Sequence, residues 1–438
     1  MICFTHIYYD ILIIGCYHGL QTKKVVNQME EGNTFGNSLL RNLNDQGIYP
    51  SPYNYQKSNG IHLNKYAIHD STLREGEQTP GVHYTIENKV EIASILDEIG
   101  VKRIEAGFPV ASKKQLDSIK KIKKLELGAD IIGFARANVA DIDAAVEAGV
   151  DGLIITFSIS KFHRDYKFKG MTQNEYLQIL HDSIAYSENK GIFTIYSAED
   201  TSREGDYEFL KQAYMTAENA GASRARIIDT LGCLSPLGVR TLVSYIRDIV
   251  DVPLEVHFHN DLGLALANSL AAIEAGASTI STCVSGLGER AGITSTEEAM
   301  AALYFFYGLE AYELSKLTEL SQLLERITGI PRHPCQPITG SNVLTHSSGI
   351  HQHGVFKNPV TYEFYPPNLF GQTRNIELNE LSGRHGIIYL AKHELGLDIS
   401  EGDARILLSE MKQEYNNDRK DPYTIPELRR LITERVAP

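Results

Sequence analysis

Between residues 61 and 331, short runs of β-branched and aliphatic residues alternate with longer stretches whose apolar side chains recur every three or four positions. The first pattern suits strands and the second amphipathic helices, so the alternation predicts βαβ units around a parallel sheet. Strands are expected at 65–71, 103–108, 130–135, 152–156, 193–198, 225–229, 254–258 and 279–284. Helices are expected at 86–99, 112–124, 139–148, 174–190, 207–220, 236–250 and 264–275, with an eighth near 295–308. Gly100, Gly149, Gly221 and Gly276 close four of them, as residues able to take the left-handed conformation that stops a helix. Eight strand–helix units in about 245 residues fit a closed (β/α)8 TIM barrel better than the alternative, an open doubly wound sheet.

The flanks differ from this core. Residues 1–20 are apolar and aromatic, but His6, Asp10 and His18 interrupt the run and no lysine or arginine precedes it. It is too short and broken to span a bilayer and has no signal-peptide pattern, although a weak membrane anchor is an alternative. Residues 21–60 are rich in Asn, Gln, Gly, Ser and Tyr, with little periodicity. The whole of 1–60 is therefore expected to be a poorly ordered extension, with Met29 as a plausible true start. After the barrel (61–331), residues 332–438 form a C-terminal region with a linker at 332–337 and a loop-rich stretch at 341–365. Helices are expected there at 378–395, 400–416 and 425–435, too few for a second catalytic domain and better suited to a lid or subunit contact.

The net charge of −13 over 438 residues argues against general nucleic-acid binding, which needs a basic footprint. It leaves room for a cationic cleft, because the field inside a cleft is set by its walls. Cys3, Cys16, Cys233, Cys283 and Cys335 are scattered and form no C-x-x-C pair. A reduced, cytoplasmic setting is expected, with neither a disulfide framework nor a zinc knuckle.

Barrel enzymes place their chemistry at the C-terminal ends of the strands. The first strand ends Asp70-Ser71-Thr72-Leu73-Arg74-Glu75-Gly76-Glu77-Gln78, which crowds acids, a guanidinium and an amide into one turn. The seventh ends His257-Phe258-His259-Asn260-Asp261. An H-x-H pair on a strand puts both imidazoles on one face, and with a carboxylate from another strand they suit a divalent metal. Further polar groups end the fifth strand (Ser197, Glu199, Asp200) and the sixth (Asp229, Thr230). Gly286-Leu287-Gly288-Glu289-Arg290-Ala291-Gly292 departs from a dinucleotide fingerprint and better suits a glycine loop at a barrel's phosphate-binding corner. His163-Arg164-Asp165-Tyr166-Lys167, after the fourth strand, is a candidate for meeting an anionic ligand, whereas the lysine-rich segment from Lys113 to Lys124 reads as a solvated face.

Four of these segments together resemble the alkylmalate synthases, the family of isopropylmalate, homocitrate and citramalate synthases. They are the strand end at Asp70–Gln78, the His257–Gly263 segment, the Gly286–Gly292 loop, and the later His346-Ser347-Ser348-Gly349-Ile350-His351. The resemblance runs from about Lys65 to at least Arg384. It implies an amino-acid biosynthetic enzyme that joins the acetyl group of acetyl-CoA to a 2-oxo acid, giving a 2-hydroxy dicarboxylate and CoA. Glu75, His257 and His259 would hold Mg2+, Mn2+ or Zn2+, with Arg74 stabilising the alkoxide. His351 resembles the family's base and Tyr362 its partner, delivered by the neighbouring subunit of a homodimer. Glu199 is assigned a catalytic role, and Gln78, Glu105, Ser197 and Thr230 are assigned to acceptor binding.

Details divide between branches of the family. Glu75 and Ile293 resemble the homocitrate branch, whereas Asp261–Ala265 and Ser347–Gln352 look more like isopropylmalate synthase. Ile195 replaces an arginine that some homocitrate synthases use for the distal carboxylate. The sequence stops near where a leucine-sensing domain would begin, so leucine feedback through such a domain is not expected. Two other readings compete. Lyases of the hydroxymethylglutaryl-CoA type would carry a cysteine in the loop at Gly286–Gly292, and carboxyltransferases a lysine ligand at a strand end; neither is found. A non-catalytic metabolite-binding barrel would be expected to lack some of Arg74, Glu75, His257, His259 and His351, all of which are present.

Overall fold

The computed structural model describes residues 34–55, 63 and 67–435. Eight parallel strands close into a barrel in chain order. They are β1 (Ile68–Asp70), β2 (Arg103–Gly107), β3 (Asp130–Arg136), β4 (Gly152–Ser158), β5 (Phe193–Glu199), β6 (Arg224–Asp229), β7 (Leu254–Phe258) and β8 (Thr279–Thr282). Closure is made by β1 on β8, with Ile68 opposite Ile280 and Asp70 opposite Thr282. The open doubly wound alternative is thereby excluded.

Local chemistry explains the regular alternation. Thr85 and Thr172 each cap the helix that follows through a reciprocal bond with the residue three positions on, Asn88 and Glu175. Ser112, Asn138, Asp206, Ser235 and Ser295 accept from a backbone N–H in the first turn of theirs. The four expected terminator glycines all have positive φ. The outward faces of the strands pack on the helices in one large core, while Ile132, Ile154 and Ile195 form a small separate cluster inside the barrel.

Four expectations need correction. Residues 34–55, placed in the poorly ordered extension, form a helix (Thr34–Asp45) and a short turn packed on the barrel. Leu39, Leu43, Ile48 and Tyr55 are buried in the main core, and the Tyr55 hydroxyl donates to the Phe305 carbonyl at 2.7 Å. Burying such side chains contributes about 1.5–3 kcal/mol each, enough to order a segment with little periodicity. The apolar run at 1–20 and Met29 lie outside the described residues. A helix at Leu317–Thr328 was not anticipated. The stretch read as loop-rich contains the helix Gly349–Lys357, and the helix expected from 378 starts at Arg384. Leu378 instead bridges Tyr423 just after β10 (Asn375–Ile376), which pairs with β9 (Thr345–His346).

The C-terminal helices Arg384–Leu395, Glu401–Asn416 and Ile425–Arg435 share their own core around Leu390, Leu407, Met411 and Leu428. The segment before them is tied to the barrel: Tyr365 and Phe370 belong to the main core and pack against Phe305. Among the described residues no helix is long and apolar enough to cross a membrane.

Candidate active site

Beyond β1 the chain turns at once, with the Ser71 carbonyl accepting from the backbone N–H of Arg74 and of Glu75 at 3.0 and 2.7 Å. Asp70 anchors the turn, accepting from the Thr72 N–H and the Thr296 hydroxyl, each at 2.9 Å. Its complete burial pushes its carboxyl up to about 7. The turn delivers Glu75 to the side of the mouth where β7 presents its two histidines.

Glu75, His257 and His259 are all buried, and one ligand atom from each lies within 4.8 Å of the other two. His257 Nδ1 is 2.9 Å from the Ser281 hydroxyl, and Nε2 is 3.9 Å from the Glu75 carboxylate. His259 Nδ1 is buried without a hydrogen-bond partner. Burial holds His257 well below, and His259 below, the usual histidine range, so both rings are neutral and able to donate a lone pair. Two neutral imidazoles and a carboxylate meeting at one point, with one buried nitrogen left unsatisfied, fit a divalent metal ion. The Gly286–Gly292 loop packs over Glu75. The Glu289 N–H donates to the Glu75 carboxylate at 3.0 Å. A Cβ on Gly288 would lie 3.1 Å from that side chain, and one on Gly292 only 1.8 Å from the Gly286 carbonyl. Gly292 is therefore required by close approach, and glycine at 288 is favoured by its positive φ of 147°.

Arg74 stands beside this group. Its Nε donates to Glu105 at 2.5 Å, and its Nη1 to Glu75 and, at 3.0 Å, to Gln78. Burial disfavours the guanidinium charge, but the two carboxylates outweigh it and raise its pKa above the usual arginine value. Glu105 is fully buried and also paired with Arg226 at 3.3 Å. Arg226 in turn is bound to Glu255, which lies 3.0 Å from His69. Glu105 thus braces Arg74 and does not itself line the cavity.

The mouth holds a cavity of about 400 Å3 lined by Arg74, Glu75, Gln78, His257 and His259 on one side. Ser197, Glu199 and Thr230 also line it, so strand ends far apart in sequence do converge. The Ser197 hydroxyl is buried with no partner, whereas the Thr230 hydroxyl accepts from the Asp200 N–H at 2.8 Å. Glu199 is opposed by burial, yet hydrogen bonds from Lys167 and Ser158 hold its carboxyl below the usual range. Four further cations, Arg136, Lys167, Arg226 and Arg290, line the cavity, with Thr156 and Glu289. Of these four, Lys167 and Arg290 lie in segments singled out from sequence, and Arg136 and Arg226 do not. Arg226 had a readable signal in Arg224-Ala225-Arg226, where alternation on a barrel strand turns both arginines inward.

His351 and Tyr362 stack on each other, ring centroids 4.1 Å apart, and both are exposed. Neither lines the cavity of its own chain.

Two family models match the chain. One described as HMGL-like covers residues 65–324, and one described as homocitrate synthase post-HMGL domain-like covers residues 338–419. Fold and match together place the barrel among the HMGL-like enzymes. The hydroxymethylglutaryl-CoA lyases of Pseudomonas aeruginosa and Brucella melitensis share that fold. Their TM-scores are 0.56 and 0.54 at 18% and 19% identity, covering 62% and 60% of this chain and 95% and 100% of theirs.

Within that class, the chain belongs to the alkylmalate synthase family, acyltransferases that condense acetyl-CoA with a 2-oxo acid. It is 40% identical to "Homocitrate synthase AksA" of Methanopyrus kandleri over 81% of this chain and 94% of that protein. It is 42% identical to the homocitrate synthase of Saccharolobus solfataricus over 80% of this chain and 76% of the relative.

Proposed function

We propose that this enzyme is of the homocitrate synthase type, using a 2-oxo dicarboxylate such as 2-oxoglutarate as acceptor and releasing a 2-hydroxy tricarboxylate and CoA. The observation that carries the chemistry is the meeting of Glu75, His257 and His259 with Arg74 in one cavity. The choice of acceptor rests on similarity to homocitrate synthases on both sides of residue 331.

Glu75, His257 and His259 would hold a divalent ion, which when bound supplies a Lewis acid for the 2-oxo group. Arg74, pinned by Glu105, faces the same region and stabilises negative charge growing on the keto oxygen. Gln78, Ser197 and Thr230 place polar groups around the acceptor, the free Ser197 hydroxyl being the one still to be satisfied. A proton leaves the acetyl methyl group, a carbon–carbon bond forms to the keto carbon, and water then cleaves the thioester to release the CoA thiol.

His351 is the base for the first of these steps and Tyr362 its stacked partner. A base has to reach the proton it removes, and His351 does not line the cavity of its own chain, so we assign it to the mouth of a second subunit in a homodimer. Glu199, ionised at the cavity wall, is placed to exchange a proton with the nucleophilic water or the product.

A panel of pyruvate, 2-oxoisovalerate, oxaloacetate and 2-oxoglutarate, scored by thiol release, tests the acceptor. The reading expects the highest kcat/KM with 2-oxoglutarate. Preference for 2-oxoisovalerate would replace it with the isopropylmalate synthase reading, and preference for pyruvate with the citramalate one.

A further inference from the structure

If the acceptor is a 2-oxo dicarboxylate, its second carboxylate must be met inside the same cavity. The candidate metal ligands and Arg74 occupy the side of the mouth formed by β1 and β7. In a closed eight-stranded barrel the opposite wall is β3, β4 and β5. Four carbon–carbon bonds of about 1.5 Å put the two carboxyl carbons of 2-oxoglutarate roughly 5 Å apart when extended. The distal group therefore points across the mouth to that wall.

Strand register divides the far wall into layers. The deepest is apolar: Phe134 is opposite Ile154 and Ile154 opposite Ile195, with both isoleucines fully buried. A carboxylate cannot descend into it without losing its hydration uncompensated. Above it runs a polar row in register, Arg136, Thr156, Ser197 and Arg226, all lining the cavity. Higher still, Ser158 is paired with Glu199, and Lys167 comes over them from the loop after β4.

The cations on or over this wall are not equally free. Arg226 is committed to Glu105 and Glu255 deep in the barrel. Arg136 is held on Asp141 by two side-chain hydrogen bonds at 2.8 and 2.9 Å and keeps further donors, but it stands at the β3 edge of the row, two strands from the unpartnered Ser197. Arg290, near the β7 side, is clamped in the same way on Asp261. Lys167 is different. Its ammonium contacts Glu199 at 2.7 Å and the Ser158 hydroxyl at 2.9 Å, both on this wall, and its side chain is about half exposed (49%). An ammonium has three donors, so one remains for an incoming carboxylate without breaking either contact. The buried, unpartnered Ser197 hydroxyl waits in the row beneath.

We propose that Lys167 is the specificity-determining cation for the distal carboxylate of the acceptor, received above Ser197 and Thr156. The proposal rests on the homocitrate-type reading. Ile195 leaves the floor of the wall uncharged, so the cation is supplied from the loop above it.

The test compares wild type with Lys167→Met and Lys167→Arg, using 2-oxoglutarate and the monocarboxylic 2-oxobutyrate, the latter as substrate or as competitive inhibitor. Loss of one hydrogen-bonded charge pair predicts that Lys167→Met raises KM for 2-oxoglutarate roughly tenfold to a hundredfold. The apparent affinity for 2-oxobutyrate should move less than about threefold, a discrimination that a merely structural lysine would not produce. Lys167→Arg should recover most of the 2-oxoglutarate affinity. Equal weakening of both acids, or an unchanged KM for 2-oxoglutarate, overturns the assignment. If wild type itself fails to prefer 2-oxoglutarate, the acceptor reading falls first and this inference with it, a result visible before any variant is made.

Discussion

Glu105→Gln separates positioning from binding. The carboxylate is fully buried between two guanidiniums, Arg74 at 2.5 Å and Arg226 at 3.3 Å, and contributes nothing to the cavity lining. Replacing it with an amide removes the charge and turns an NH2 donor towards one of two groups that can only donate. Breaking a buried ion pair costs about 3–5 kcal/mol. Arg226 keeps Glu255 and Arg74 keeps Glu75, so the lower end, about 3 kcal/mol, is expected in urea denaturation. Arg74, freed at Nε, loses its aim on the keto oxygen. A preorganised donor of that kind is worth about 2.7–4 kcal/mol, so partial misplacement predicts a fall in kcat of roughly tenfold to a hundredfold. KM for the oxo acid should move less than about threefold, since Glu105 does not touch it. Initial rates of thiol release over a range of acceptor concentrations give both constants. An unchanged kcat with KM raised more than tenfold would show that Glu105 contacts the acceptor, and the bracing argument would be wrong.

Other outcomes follow from the same geometry. Arg74→Lys keeps the charge but loses the fork that reaches Glu105, Glu75 and Gln78, so turnover should fall at least tenfold in the same assay. His257→Ala should lower metal content, read by elemental analysis of the purified protein, and abolish condensation. For Glu298, burial and neighbouring Glu297 push the carboxyl up to about 7. The folded state then holds its proton over a range where the unfolded chain has released it, so stability falls as pH rises from about 4.5 to 7. Glu298→Gln should match wild type below that window and exceed it by up to about 3 kcal/mol above, as measured by denaturation at pH 4 and 8. His351→Ala and Glu75→Gln, each inactive alone, should recover up to about half the normal activity per hybrid dimer when subunits exchange; proven exchange without recovery would place the base within one chain.

The barrel was legible because each strand–helix unit carries its own punctuation. Thr85, Thr172 and Ser295 start helices, Gly100 and Gly149 end them, and apolar runs between them fall at strand length. Metal-type ligands were legible because Glu75 and the H-x-H pair are local patterns at strand ends. What could not be read was whatever depends on three-dimensional neighbours. Glu105 sits on a strand as acceptor contacts do, and only the structure shows its pairing with Arg74 and Arg226. The helix Gly349–Lys357 holds two glycines and two histidines and has few apolar positions, so its formation depends on packing and on Gln352 binding three backbone carbonyls around it. Residues 34–55 are ordered by a surface that the barrel supplies, through Tyr55 on Phe305 and Gln46 on Tyr304.

The central claim, metal-dependent condensation at Glu75, His257 and His259, is tested most directly by following CoA release from acetyl-CoA and 2-oxoglutarate through removal and return of the metal. Chelation should abolish thiol release, and Mg2+, Mn2+ or Zn2+ added back should restore it, with a 2-hydroxy tricarboxylate identified by mass in equal amount to the CoA. Undiminished release from protein shown to be metal-free, or thiol release without the condensed acid, would contradict the account.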